Sequence, residues 1–166
     1  MDLRQGFVLT RHWHDTPSGI EVEFWLATDD GPQHVRLPYQ TAVMFIPAAQ
    51  RSEAQALLQD EPGIEFRELA LQDFQSRPVL GIYCQQHARL IDSAQRLRRA
   101  GVEVFEADIR PPERFLMERF ITAPVSFGGT CAADGPLRNT RMKPHPDYRP
   151  HLQLVSLDIE TSAHGD

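Results

Sequence analysis

Two helical stretches, each set between runs that alternate like strands, constrain this chain more than any other feature. Residues 52–59 place Ala54, Leu57 and Leu58 on one helix face, and 87–100 do the same with Leu90, Ile91, Ala94 and Leu97. Gly101 follows the second stretch directly, where a residue free to take positive φ ends a helix. Around them, residues 42–46, 64–69, 78–84 and 102–105 read as strands. The order β-α-β-β-α-β predicts a ferredoxin-like unit over about 41–106. Ser52, with Gln55 three residues on, predicts a capping box at the first helix. Many RNA-recognition modules share this order, but no strand here carries the aromatic pattern that stacks bases. The topology alone therefore assigns no function.

The flanking segments read differently. Phe7-Val8-Leu9-Thr10, residues 20–26 and His34-Val35-Arg36-Leu37 are strand-like, separated by Asp15-Thr16-Pro17-Ser18-Gly19 and Asp29-Asp30-Gly31-Pro32. They predict a β-meander over residues 1–40, joined by further β structure at 123–150 in a barrel-like subdomain. Pro111-Pro112 opens a short helix over 113–120, because proline lacks the N–H that a first turn leaves unpaired. Residues 137–143 read as a strand, and 127–136 as a variable loop. The proline-rich 143–150 reads as a stiff connector and a domain boundary. The expected class is α+β, with no internal repeat.

Net charge is −6, which argues against a free-standing nucleic-acid binder with a generally basic surface, though not against local contact with a strand. Cys84 and Cys131 are far apart and in no Cys-x-x-Cys pattern, so they read as reduced structural thiols. The N-terminus has no signal-type apolar run, and no stretch reaches the roughly 20 apolar residues that span a bilayer. No membrane association is expected.

The last strand-like run, Leu152-Gln153-Leu154-Val155-Ser156-Leu157, leads into Asp158-Ile159-Glu160-Thr161. Residues i and i+2 of a strand share a face, so Asp158 and Glu160 would project side by side. Paired carboxylates of that kind can hold two divalent cations about 3.5–4 Å apart. As a bare tripeptide, Asp-x-Glu is more often a pair of solvated carboxylates. His12 and His14 share a strand face, but the sequence offers no third ligand at a convincing spacing, so a metal is not assigned there. Phe127-Gly128-Gly129-Thr130 lacks the Gly-Lys-Ser/Thr ending of a phosphate loop.

Several motifs together resemble one family. They are Leu9-Thr10-Arg11-His12-Trp13, Phe24-Trp25-Leu26-Ala27-Thr28-Asp29, Phe45-Ile46-Pro47-Ala48, the long stretch 106–122, Lys143-Pro144-His145-Pro146-Asp147-Tyr148-Arg149-Pro150 and Asp158-Ile159-Glu160-Thr161. Across nearly its whole length the chain resembles the amino-terminal part of bacterial family B DNA polymerases. The resemblance implies an N-terminal polymerase domain over 1–150. It also implies that 151–166 begins a ribonuclease H-like 3′–5′ exonuclease domain, truncated just after its first motif. Asp158 and Glu160 would then be catalytic metal ligands for two Mg²⁺ ions in the complete enzyme. The fragment by itself would be inactive and would not retain them. Implied partners are primer-template DNA, single-stranded template and deoxynucleotides, with a sliding clamp reached through regions outside this chain. The implied location is cytoplasmic and nucleoid-associated.

Arg114 lies in a stretch similar to archaeal family B polymerases near the single-stranded template, and a guanidinium fork suits phosphate. It is expected to be exposed and free of carboxylates; the alternative is a surface salt bridge with Glu118. Arg138, Arg141, Lys143 and Arg149 make the region before the final strand locally basic, which suits a phosphate backbone or simply a solvated strand face. Two readings compete with the polymerase: a stand-alone ferredoxin-like binding module without catalysis, and a different two-metal exonuclease sharing only the acidic motif.

Overall fold

Alternation in one strand sets the architecture. In β2 (Gly19–Thr28), Ile20, Val22, Phe24 and Leu26 are fully buried, while Glu21, Glu23 and Trp25 take the opposite face. That is the two-residue period of a sheet with one wet side. The structure is a computed structural model and describes residues 3–131 and 135–158. β2 pairs antiparallel with β1 (Arg4–Thr16) and β3 (Gly31–Gln40). The tight β2–β3 turn is made possible by Gly31 at φ 105°, which a side chain would disfavour. β7 (Pro124–Cys131) and β8 (Leu137–Pro144) complete a closed barrel in the order β1-β2-β3-β8-β7. Closure removes the free edges that open sheets must protect.

Next to the barrel lies a three-stranded antiparallel sheet of β4 (Ala42–Pro47), β5 (Ile64–Gln72) and β6 (Pro78–Cys84), ordered β4-β6-β5. Helix α2 (His87–Arg99) packs on β4 and β6, and α1 (Arg51–Leu58) packs against α2. The expected capping box is not formed. A 3₁₀ turn at Ala48–Gln50 starts the helix early, so Ser52 falls inside α1 and the Gln50 cap makes no side-chain bond. The expected strand at 102–105 is also absent as a strand. Only Phe105 pairs, exchanging backbone hydrogen bonds of 3.0 and 2.8 Å with Phe45, before Glu106 turns the chain at φ 55°. Gly101, at φ 87°, ends α2: the Val102 N–H bonds to Leu97 O at 3.0 Å and the Gly101 N–H to Arg98 O at 3.1 Å. This left-handed cap satisfies carbonyls the helix end would orphan.

The barrel and the sheet meet at the head of α2. The Asp15 carboxylate, on β1, accepts the backbone N–H of His87 at 2.8 Å and of Ala88 at 2.9 Å. A carboxylate there satisfies two unpaired donors and complements the helix dipole. Gln86 Nε2 donates to Thr16 O at 3.0 Å, and Trp13 meets the His87 ring edge-on at 5.8 Å. Burial holds the His87 pKa below its usual value, partly offset by Asp15. The third helix, α3 (Pro111–Met117), starts at Pro111 and stops at Met117, earlier at both ends than expected. It drives Phe115 to 5.6 Å from Phe24 inside the barrel. One continuous core therefore runs from Phe24 and Phe127 through Phe115 to Ile82 and Leu97. Cys84 is buried in it, which pushes its thiol up to about 12; the Cys131 side chain lies outside the described set. No helix among the described residues is long and apolar enough to cross a membrane.

Residues 143–150, expected as a stiff connector, are fastened to the barrel: the His145 N–H bonds to Pro124 O at 3.0 Å, and buried Tyr148 places its hydroxyl 3.1 Å from Asp29 Oδ1. Burial, together with that hydrogen bond, raises the Tyr148 pKa. Residues 152–157 form no strand, and Leu154 and Leu157 are 91% and 88% exposed. Alternation produces a strand only where a neighbouring strand supplies the ladder, and no described residue does.

Asp15→Ala removes the cap on α2 and should lower unfolding stability by about 0.5–2 kcal/mol. Asp15→Asn, which keeps an oxygen acceptor, should lose less. Urea titration followed by far-UV circular dichroism checks both.

Candidate nucleic-acid interface

The basic residues near the end of the barrel depend on an irregularity. β7 (Pro124–Cys131) pairs with β8 (Leu137–Pro144) so that Ser126 faces Lys143, Gly128 faces Arg141 and Thr130 faces Arg138. Residues 126, 128 and 130 lie on one side of their strand, so their partners share that side as well. Arg138 and Arg141, three apart, would point oppositely in an unbroken strand; the register shift opposite Gly129 brings them together. A side chain on Gly129 would put a Cβ 2.6 Å from the Arg138 carbonyl oxygen, so the bulge needs glycine there. Arg138, Arg141 and Lys143 are all exposed, while Leu137 and Met142 turn into the core. Since 127–131 belong to β7, the expected variable loop is shorter than 127–136.

Where α3 ends against β3 and β8, a cleft of about 300 Å³ opens. Leu37, Phe115 and Met142 give it an apolar lining; Arg119, Arg141, Lys143, Gln40 and Thr140 supply polar groups. The Arg119 guanidinium lies 3.8 Å from the centre of the Phe115 ring, and its Nη1 donates to Phe115 O at 3.1 Å. Its contact with Glu118, at 3.8 Å, is loose. Among the described residues no ion pair engages Arg138, Arg141 or Lys143. Three cations around an apolar floor suit a phosphodiester strand with its bases turned inward. On a chain of net charge −6, such a patch acts locally, because salt screens beyond about 10 Å.

The other sequence-derived residues are placed differently. Arg149 turns onto its own loop, donating to the carbonyls of Pro146 and Tyr148. Arg114 is not the exposed, unpaired arginine expected. Its side chain is 12% exposed, its Nη2 pairs with Glu106 Oε2 at 2.8 Å, and its guanidinium lies 5.6 Å from the Phe45 ring. Nor does it pair with Glu118, whose carboxylate faces Arg119. The cause is the turn at Glu106, which brings that carboxylate back over α3. Arg119 was missed in the sequence because its place in the cleft depends on α3 docking against the barrel. Asp158 is exposed and pairs with no strand among the described residues, and Glu160 lies outside them. A two-cation site is therefore not assembled among the described residues.

Comparison with known proteins bears on what the cleft serves. The model of "DNA polymerase II, N-terminal" matches residues 6–41, and that of "DNA polymerase II, insertion domain" matches 42–102. The chain is 57% identical over 161 residues to DNA polymerase II of Escherichia coli (strain K12), covering 97% of this chain and 20% of that protein. It thus spans about a fifth of the length of this curated relative. The family B DNA polymerase of the hyperthermophilic archaeon Pyrobaculum calidifontis shares the fold, with a TM-score of 0.61 at 18% identity over 77% of this chain and 18% of that one.

Arg114 serves as a tie between α3 and the sheet, and its substitution should show it. Arg114→Ala is expected to cost about 1–3 kcal/mol, from lost packing on Phe45 and a lost charge partner, while Arg114→Met recovers most of that. Neither should change affinity for a single-stranded oligonucleotide; chemical denaturation and fluorescence anisotropy test the two halves.

Proposed function

Because the chain belongs to the DNA polymerase II family, we propose that it is the amino-terminal, template-positioning region of a DNA-directed DNA polymerase with 3′–5′ proofreading. The observation that carries this reading is the cleft where Arg119, Arg141 and Lys143 converge without strong carboxylate partners. A template strand entering there would have its phosphates neutralised at the barrel wall and bases resting on Phe115 and Met142. Arg138 extends the same face along β8. The contacts recognise backbone charge and carry no sequence preference, as a general polymerase requires.

The unit at 42–105 is read as ferredoxin-like, with its fourth strand reduced to the Phe45–Phe105 bridge. It serves as a buttress, since Asp15 and α3 fasten it to the barrel that carries the basic face. Residues 151–166 are read as the start of the exonuclease domain. In the complete protein Asp158 and Glu160 would help to hold Mg²⁺, whose chemistry is activation of a water and stabilisation of a departing oxygen. What the described residues themselves contribute is an exposed Asp158. Primer-template, deoxynucleotides and a sliding clamp are the partners of that complete enzyme, which would act in the cytoplasm at the nucleoid.

Two experiments on the complete polymerase test this. Replacing Arg141 and Lys143 together by Ala should weaken binding to a primer-template with a single-stranded overhang and reduce the magnitude of the salt slope by about two, one per phosphate contact. Blunt duplex should be affected much less; equal loss on both would remove the template assignment. Replacing Asp158 and Glu160 by Ala should abolish excision of a mismatched 3′ nucleotide while leaving extension nearly intact. Unchanged excision would remove the metal-ligand assignment.

A further inference from the structure

Two aromatic residues beside the basic cleft occupy backbone that side chains disfavour. Four non-glycine residues among those described have positive φ: Tyr39 at 61°, Ser76 at 61°, Glu106 at 55° and Phe120 at 55°. Contacts within the fold account for two of them. The Ser76 N–H closes a turn on Asp73 O at 3.0 Å, and Glu106 brings its carboxylate to Arg114. Tyr39 and Phe120 gain no such contact: they are 72% and 86% exposed. Among the described residues neither ring meets another ring or a guanidinium, whereas exposed Trp25 is already stacked on His34 at 4.6 Å.

Each sits where glycine is the usual solution. The chain leaves α2 with the Val102 N–H on Leu97 O and the Gly101 N–H on Arg98 O, and Gly101 carries the positive φ. It leaves α3 by the same pair of bonds, Ile121 N–H to Leu116 O at 2.9 Å and Phe120 N–H to Met117 O at 3.1 Å, with Phe120 in the place of glycine. Tyr39 stands at a bulge in β3: Ile20 faces Gln40 and Val22 faces Leu37, so Pro38 and Tyr39 together oppose Glu21. A left-handed tyrosine or phenylalanine costs stability that glycine would not. Residues kept in such backbone cluster at binding sites.

Both adjoin the strand-binding face. Phe120 follows Arg119 and Tyr39 precedes Gln40, and Arg119 and Gln40 line the cleft. Tyr39 also shares a neighbouring hollow of about 180 Å³ with Arg138. Glu21, the carboxylate in that hollow, already faces Arg36 at 3.5 Å, which leaves Arg138 for an incoming phosphate. We propose that Tyr39 and Phe120 are stacking platforms at the β3 and α3 edges of the cleft, each holding an unpaired nucleobase of the strand whose phosphates Arg119, Arg138, Arg141 and Lys143 neutralise. The inference rests on the strand-binding reading and adds to it a requirement for bases. An exposed ring beside cations takes any base, because every base has a π-face. Bases paired in a duplex are stacked on one another and cannot reach it.

The test uses the complete polymerase and two primer-templates, one with a base-bearing single-stranded overhang and one whose overhang is abasic throughout, read by fluorescence anisotropy. The unsubstituted enzyme should bind the base-bearing overhang more tightly. Tyr39→Gly and Phe120→Gly should each weaken that binding about tenfold and leave the salt slope and the abasic affinity unchanged. Both should keep or raise the thermal unfolding midpoint, since glycine relieves the backbone. Tyr39→Phe and Phe120→Tyr, which keep a π-face, should bind as the unsubstituted enzyme does. Replacing Arg141 and Lys143 by Ala should instead reduce the salt slope on both overhangs. Glycine variants that bind the base-bearing overhang at full strength, while the charge replacement still weakens it, overturn the stacking proposal and leave the cleft reading standing. A lowered midpoint also overturns it, because the rings would then be packed against the rest of the polymerase. If the charge replacement leaves the slope unchanged, the cleft reading itself fails and the proposal with it.

Discussion

The Asp15 carboxylate, receiving two N–H groups at the head of α2, is the contact on which the relation between the two halves depends. The donors and acceptor are 72 and 73 residues apart, so forming the cap requires the barrel corner and the helix to be in place together. Around it, Gln86 bonds to Thr16, Trp13 packs on His87, and α3 carries Phe115 into the barrel. Polar specificity at the corner and apolar burial through α3 reinforce each other. A capped helix end fixes orientation, and a shared core makes separation expose buried surface to water.

The basic cleft follows from that joint. Arg119 comes from the turn that follows α3, while Arg141 and Lys143 come from β8. Arg141 and Lys143 share a face of β8 by strand period, α3 held against the barrel brings Arg119 to them, and the bulge at Gly129 adds Arg138 to that face. Arg114, one turn earlier on α3, is tied to Glu106 and Phe45 and so helps to place the helix rather than meet a ligand. Arg114 within α3 and Arg119 just past its end thus divide between anchoring and presentation.

Much of this was legible in the sequence because it is local. The alternation of β2, the apolar faces of α1 and α2, the Gly101 stop and the Pro-Pro start of α3 are read from spacing and turn chemistry alone. What escaped was set by distant partners. Ser52 carries a capping signature, but a preceding 3₁₀ turn moved the helix start. Val102 to Phe105 alternates like a strand, but only Phe105 finds a partner. Residues 152–157 have the pattern and no ladder. Among site residues, Arg141 and Lys143 were visible as basic sequence, whereas Arg138's shared face needed the bulge and Arg119 needed helix docking.

The central claim is that the barrel and the neighbouring sheet form one cooperative body that holds the cleft in shape. Native-state hydrogen exchange across a low-urea series tests it most directly, comparing amides of β2 (Gly19–Thr28) with those of β6 (Pro78–Cys84). The account predicts that the slowest amides of both strands converge on one opening free energy with one urea dependence. A β6 that opens several kcal/mol more cheaply than β2, with a smaller urea dependence, would contradict it.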